Sequence, residues 1–154
     1  MKDEIVVREL KNKETIPYNL LLIADPSKSN IDKYLSDSIV YMADFKGQTV
    51  GCYVLCNAGG EITEIKNIAV DEKFQGKGLG TFLLHDAIKR AKWSGFKKII
   101  IGTGNSSIGQ LYLYQKVGFR ITDIKADFFK TNYNQPIIEN GIECRDMILL
   151  TRDL

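Results

Sequence analysis

The segment Val70-Asp71-Glu72-Lys73-Phe74-Gln75-Gly76-Lys77-Gly78-Leu79-Gly80-Thr81-Phe82-Leu83-Leu84 sets three alternating glycines between the end of an expected strand and the start of an expected helix. Such a turn suits anion binding. Glycine lets backbone N–H groups come close to a ligand, and a helix N-terminus offers unpaired donors and a partial positive charge that match a pyrophosphate. Lys77 adds a formal charge. Two familiar phosphate-binding turns fail on spacing. A P-loop needs Lys followed by Ser or Thr, whereas Gly78 follows Lys77, and Gly76-Lys77-Gly78-Leu79-Gly80 is one residue short of the dinucleotide fingerprint. A turn that only packs a strand closely against a helix would carry the same glycines, so the choice depends on context.

No metal site is expected. Cys52 and Cys56 fall four apart in a strand-like run, about 13 Å along it, which suits neither a disulfide nor a zinc knuckle. The one histidine, His85, falls on the charged face of an expected helix with Lys89 and Lys92. With Cys144 the cysteines number three, and they read as reduced thiols.

The elements that must position this turn follow from periodicity. Residues 5–10 read as a strand, residues 15–24 and 26–36 as short helices, the second opened by Asp25 and Pro26. Residues 38–45 and 49–55 form an expected hairpin around Lys46-Gly47-Gln48. Residues 61–70 continue the meander after Asn57-Ala58-Gly59-Gly60. Ile62, Glu64, Lys66 and Ile68 alternate there with Thr63, Ile65, Asn67 and Ala69. From Gly78 the period becomes helical, with Leu79, Phe82, Leu83, Ala87, Ile88 and Ala91 on one face, and Ser94-Gly95 ends the run. Trp93 and Phe96 are expected as packing groups. A buried strand at 98–102, a helix at 108–117 closed by Gly118, and strands at 119–129 and 144–151 follow, the last two bridged by Pro136 and Asn140-Gly141. The expected fold is α+β: a mixed, mostly antiparallel twisted sheet of about six to seven strands, with a parallel right-handed crossover between residues 61 and 101.

In this context Gln75-Gly76-Lys77-Gly78-Leu79-Gly80 resembles the Q/R-x-x-G-x-G/A pattern of the GCN5-related N-acetyltransferase (GNAT) superfamily. The likeness continues at Asn105 and at Leu113-Tyr114-Gln115-Lys116-Val117-Gly118-Phe119, similar to that family's Asn and L-Y-x-x-x-G-F segment. The resemblance implies helices on both faces of the sheet. It also implies a fourth and a fifth strand that splay so that the pantetheine of acetyl-CoA can insert. Gln75, Gly76, Lys77, Gly78, Gly80 and Thr81 would hold the pyrophosphate, and backbone groups of Ile68, Ala69 and Val70 would hold pantetheine and polarise the thioester. Acetyl-CoA is then the co-substrate, a primary amine of a small molecule or of a lysine or protein N-terminus the acceptor, and a homodimer is compatible with the family's habits.

Direct transfer needs an ammonium to lose a proton and a leaving thiolate to gain one. By the resemblance Glu64, eleven residues before Gln75, matches a glutamate base, although a strand-borne Glu that is ion-paired or solvated would read the same. Tyr114 matches the general acid. Tyr112, seven residues after Asn105, competes with it, and the two lie about 200° apart around a helix. Asn105 is either a coenzyme contact or a helix N-cap.

The bulk numbers limit the alternatives. The chain's 154 residues suit one domain over 1–154. Its formal charge of +2 carries no nucleic-acid footprint, and no apolar run reaches the ~20 residues of a membrane span. The start lacks a basic region followed by an apolar run, from which a cytoplasmic protein is expected. Asp123, Asp127, Glu139, Glu143 and Asp146 make the late region acidic, compatible with a cationic acceptor, though a solvated surface is the preferred reading because charges usually face water. A non-catalytic module that binds acyl-CoA is the alternative function, and the presence of both Glu64 and Tyr114 argues against it.

Overall fold

Turn residues punctuate the first half of the chain. In the computed structural model, which describes residues 1–154, strand β1 (Ile5–Glu9) leads through α1 (Tyr18–Ala24) and α2 (Lys28–Leu35) into β2 (Ser38–Phe45). Lys46 and Gly47, at φ 50° and 79°, make a two-residue turn into β3 (Gln48–Gly59), the geometry whose twist matches a hairpin. β4 (Ile62–Val70) follows, and after a 3₁₀ turn at Glu72–Phe74 come α3 (Leu79–Trp93), β5 (Lys98–Gly104) and α4 (Ile108–Lys116). The chain ends with β6 (Arg120–Lys125), α5 (Phe128–Asn132), a small hairpin of β7 (Ile138–Glu139) and β8 (Ile142–Glu143), and β9 (Met147–Asp153).

Seven strands form one sheet in the order β1-β2-β3-β4-β5-β9-β6, antiparallel except for the β4–β5 pair. This is the mixed α+β arrangement expected from the sequence. Helices cover both faces. Leu79, Leu83, Leu84, Ala87 and Ala91 of α3 pack with Tyr53, Ile65 and Ile99 on one side, while Leu20 and Leu21 of α1 and Ile31 of α2 pack on Val40, Cys52, Val54 and Ala69 on the other. Each fully buried Leu or Ile contributes about 1.5–3 kcal/mol by leaving water. Gly51 sets the spacing of the first layer: a Cβ there would lie 2.9 Å from the Ala69 carbonyl oxygen and 3.0 Å from Leu83 Cδ1. The backbone oxygen of the neighbouring strand cannot yield, so a larger residue would strain the β3–β4 pairing and crowd Leu83 of α3.

β4 departs from simple alternation. Val54 pairs with Asn67 and Leu55 with Ile65, which leaves Lys66 as an extra residue in a bulge. The bulge reverses the phase: Ile65 and Ile68 belong to the α3 layer, whereas Ala69 lies in the α1 layer and Asn67 donates to the Leu21 carbonyl of α1 at 2.9 Å. Glu64, paired with Cys56, therefore shares a face with Asn67 and Ala69 rather than with Ile68.

Three local expectations change. Ser27, not Asp25, caps α2, its hydroxyl accepting from the Asn30 N–H at 3.2 Å. The strand expected over 119–129 stops at Lys125 because Asp127 turns the backbone to φ 59°, and Phe128 and Phe129 open a helix. Trp93 is 76 % exposed, with Lys89 Nζ 5.5 Å from its ring centre, while Phe96 packs on the core as expected. No helix is long and apolar enough to cross a membrane.

Candidate active site

β4 and β5 pair only from Ile62↔Lys98 to Ile65↔Ile101. Beyond that point β5 pairs only with β9, so residues 66–70 of β4 present an edge without a ladder partner and the two strands part. A cavity of about 360 Å³ opens on this edge. Ile68, Ala69 and Val70 form one wall, Gln75, Gly76, Gly78, Gly80 and Thr81 a second, and Leu113 and Tyr114 of α4 a third.

The glycine turn is built to leave donors free. Gly76 and Gly78 adopt φ of 76° and 82°, a region that L-residues avoid, and Gly78 is the N-cap of α3 with no side chain closing the helix end. The first backbone bond of the helix is Phe82 N–H to Gly78 C=O, so the N–H groups of residues 76–81 have no acceptor in the protein. The Gln75 side chain donates to the Val70 carbonyl at 2.9 Å and ties the turn to the strand end. Free amides at the start of a fifteen-residue helix form an anion site. Lys77 lies outside the cavity walls, its Nζ 5.4 Å from the Phe74 ring centre.

Tyr114 and Tyr112 are separated by helical phase. Tyr114 is 5 % exposed, packs against Phe119 and lines the cavity, and burial raises its pKa well above the ordinary phenol value. Its hydroxyl makes no hydrogen bond within the protein. Tyr112 is 66 % exposed, with Lys116 Nζ 5.7 Å from its ring centre on the outer face of α4. Asn105 is not brought to this cavity. Its carbonyl oxygen accepts from Arg145 N (2.7 Å) and Asp146 N (2.9 Å), and its amide donates to the Glu143 carbonyl (3.1 Å), which fastens the approach to β9. Nor does it cap α4, whose N-cap is Ser107.

Glu64 stands on the other side of the bulge, in a second cavity of about 390 Å³. Lys66 Nζ lies 3.2 Å from its carboxylate. Asp25, Asn30, Lys33 and Tyr34 from the early helices face Phe128, Phe129, Asn132, Tyr133 and Met147 from the late segments across this space, and Ala24 lines both cavities. Two hydrogen bonds join the walls: Tyr133 Oη to Asp25 Oδ1 at 2.8 Å, and Asn30 Nδ2 to the Asn132 carbonyl at 2.9 Å. Burial pushes the Tyr34 hydroxyl up to about 12, and that hydroxyl accepts from Asn67 Nδ2 at 3.1 Å. Asn67 itself is 4 % exposed, and its Oδ1 is buried without a partner. Gly102 lets Met147 reach the cavity, since a Cβ there would lie 2.7 Å from Met147 Sδ.

By the family resemblance acceptor choice belongs to the early helices, roughly residues 15–37, and the late loop, roughly 130–142. Asp25, Tyr34 and Tyr133 of the second cavity fall in these segments, although no motif singled them out by residue. The acidic residues that the sequence did single out serve the surface: Asp127 pairs with Arg145 (2.6 Å), Glu139 accepts from Ser107 (3.0 Å), Asp146 accepts from Asp127 N (2.8 Å), and neither these nor Asp123 and Glu143 line the second cavity.

Comparison with known proteins agrees with this geometry. The acetyltransferase (GNAT) domain family matches residues 36–121. A GNAT acetyltransferase from Elizabethkingia anophelis, solved with acetyl-CoA bound, is similar at 58 % identity over 99 % of both chains, with a TM-score of 0.97. An IAA acetyltransferase from Bacillus cereus is 49 % identical over 97 % of this chain and 99 % of that one, with a TM-score of 0.93. The uncharacterized N-acetyltransferase YvbK of Bacillus subtilis (strain 168) is 53 % identical over 89 % of this chain and 88 % of its own length. The parted strands, the open glycine turn and these likenesses agree, and the chain belongs to the GNAT family of acetyl-CoA-dependent N-acetyltransferases.

Proposed function

We propose that the protein transfers the acetyl group of acetyl-CoA directly to a primary amine, with coenzyme in the first cavity and acceptor in the second. The observation that carries this reading is the break in β4–β5 pairing after Ile65, because the opening lies between the two cavities. The free amides of residues 76–81 receive the pyrophosphate, and the unpaired edge at Ile68, Ala69 and Val70 receives pantetheine and polarises the thioester carbonyl.

Glu64 accepts a proton from the acceptor ammonium, directly or through one water, and the neutral nitrogen attacks the thioester carbon. A C–N bond forms, the carbonyl reforms and the C–S bond breaks. The thiolate then takes a proton from Tyr114, which as a phenol is protonated at neutral pH and lines the coenzyme cavity. The nitrogen's second proton and the one held by Glu64 leave to solvent and Tyr114 is reprotonated from it, so that one proton is released for each acetyl group transferred.

The test is acetyl-CoA-dependent thiol release on a panel of primary amines with Glu64→Gln and Tyr112→Phe beside the parent protein. Glu64→Gln is expected to lower kcat/KM by about 10²-fold for amines that are charged at neutral pH, within the usual range for a lost general base. The deficit should narrow as pH rises and more of the amine is already neutral. Tyr112→Phe should change nothing beyond about twofold, as surface substitutions do. An unchanged rate in Glu64→Gln would remove the base from this scheme.

A further inference from the structure

The second cavity continues outward. Asn30, Lys33, Asn132 and Tyr133 also line a third cavity of about 700 Å³ between the start of α2 and the segment after α5. The two chambers differ in chemistry. The inner one has apolar walls at Phe128, Phe129 and Met147, and Glu64 stands on β4 next to the last residue paired with β5. The outer one is lined mostly by neutral hydrogen-bonding groups, among them Ser29, Thr131, Asn134 and Gln135, and Lys33 is its only charged side chain.

Two charged groups of the inner chamber lack an ion-pair partner, Asp25 and Lys33, and of these only Lys33 also lines the outer chamber. Glu64 and Lys66 face each other at 3.2 Å, and Asp25 accepts from the Tyr133 hydroxyl at 2.8 Å and from Ser27 N at 3.1 Å. Lys33 has no carboxylate within ion-pairing distance, and its one hydrogen bond is to neutral Asn30 Oδ1 at 3.4 Å. The inner chamber thus runs from the Glu64 carboxylate, past aromatic and aliphatic walls, to an ammonium without an ion partner at its junction with the outer chamber.

We infer that the acceptor is a small amine with an apolar, ring-sized body and a carboxylate at the end remote from the amine, and that Lys33 selects for that carboxylate. The inference rests on reading the Glu64 cavity as the acceptor site. A second cation at the far end of the acceptor would meet Lys33 with like charge, and a neutral end would leave the ammonium uncompensated beside it. Because Lys33 is exposed to solvent, the selectivity is moderate and appears mainly in KM.

The experiment compares 4-(aminomethyl)benzoate, its neutral carboxamide, and 4-(aminomethyl)benzylamine. Each is measured by acetyl-CoA-dependent thiol release and by calorimetric titration into CoA-saturated protein. The expected order is carboxylate, amide, diamine, with about five- to tenfold between the first two at low salt and less at high salt. Lys33→Gln should bring the carboxylate-to-amide ratio near one, and Lys33→Glu should put the diamine first. Equal use of carboxylate and amide by the parent protein, or a ratio unmoved in Lys33→Glu, would overturn the assignment of Lys33 while leaving the transferase scheme intact. Ordered binding without acetyl transfer would instead overturn the reading of this cavity as the acceptor site. Failure of all three to bind or react would overturn the ring-sized carboxylate class.

Discussion

The first cavity draws ten of its fifteen lining residues from one continuous stretch, residues 68–84, with Ile23 and Ala24 added by α1 and Gln110, Leu113 and Tyr114 by α4. The second collects Asp25, Tyr34, Glu64, Gly102, Phe129 and Met147 from separate parts of the chain. The first presents backbone amides and a single tyrosine, and the second presents side chains of every chemical class. A coenzyme common to a family can be held by backbone geometry that many sequences satisfy. An acceptor particular to one protein has to be met by side chains, which vary without disturbing the sheet.

The sharpest way to break this comparison is at Tyr114, where the first cavity depends on a side chain. Tyr114→Phe should lower kcat by about 10²-fold or more, the usual scale for a lost general acid, with KM for acetyl-CoA little changed. A retained kcat would mean that the thiolate leaves unprotonated or takes its proton from water.

Gly78→Ala tests the backbone part. At φ 82° an alanine costs about 1–2 kcal/mol and turns the amides away, whereas the Lys2 side chain near the added Cβ can move aside. KM for acetyl-CoA should rise about tenfold, the equivalent of 1.4 kcal/mol, while KM for the amine stays within error. The reverse separation is expected for Tyr133→Phe, which removes the bond to Asp25 that joins the walls of the second cavity. KM for the amine should rise about three- to tenfold, the scale of one lost hydrogen bond of ordinary strength, and KM for acetyl-CoA should not move. If both constants moved together in either variant, the two cavities would not be independent.

The smallest effect is on stability at high pH. Burial raises the Tyr34 pKa from 10 to about 12, so the folded state binds more protons than the unfolded state between these values. Its contribution is complete below pH 10 and is lost as pH rises through about 12. Denaturant unfolding at pH 9 and pH 11 should show a smaller alkaline loss for Tyr34→Phe than for the parent protein.

Much of the cofactor side was legible because its cues are local. Gln75 to Gly80 carries its geometry in its residue types, since glycine takes the positive φ of Gly76 and Gly78 without the strain a side chain would bring. Helical phase likewise separated Tyr112 from Tyr114, although choosing between them needed to know which face of α4 meets the sheet. The alternation in β4 was misread at Lys66, because a bulge depends on the partner strand and leaves no mark on the strand that contains it. Asn105 also has the composition of a cap, and its use as the anchor of residues 143–146 depends on a segment some forty positions away. Phe128 and Phe129 extend an apolar pattern that propensity cannot divide, and the left-handed Asp127 decides where the strand ends.

Sequence alone determined the mixed sheet, the crossover and the glycine turn, since hydrophobic period and φ preference act over a few residues and survive any arrangement of the rest. Tertiary structure alone decided where β4 and β5 part, that Glu64 shares a face with Asn67, and which residues of the early helices and late loop close around the second cavity. Those are outcomes of register and long-range packing, in which each residue's role is set by neighbours remote along the chain.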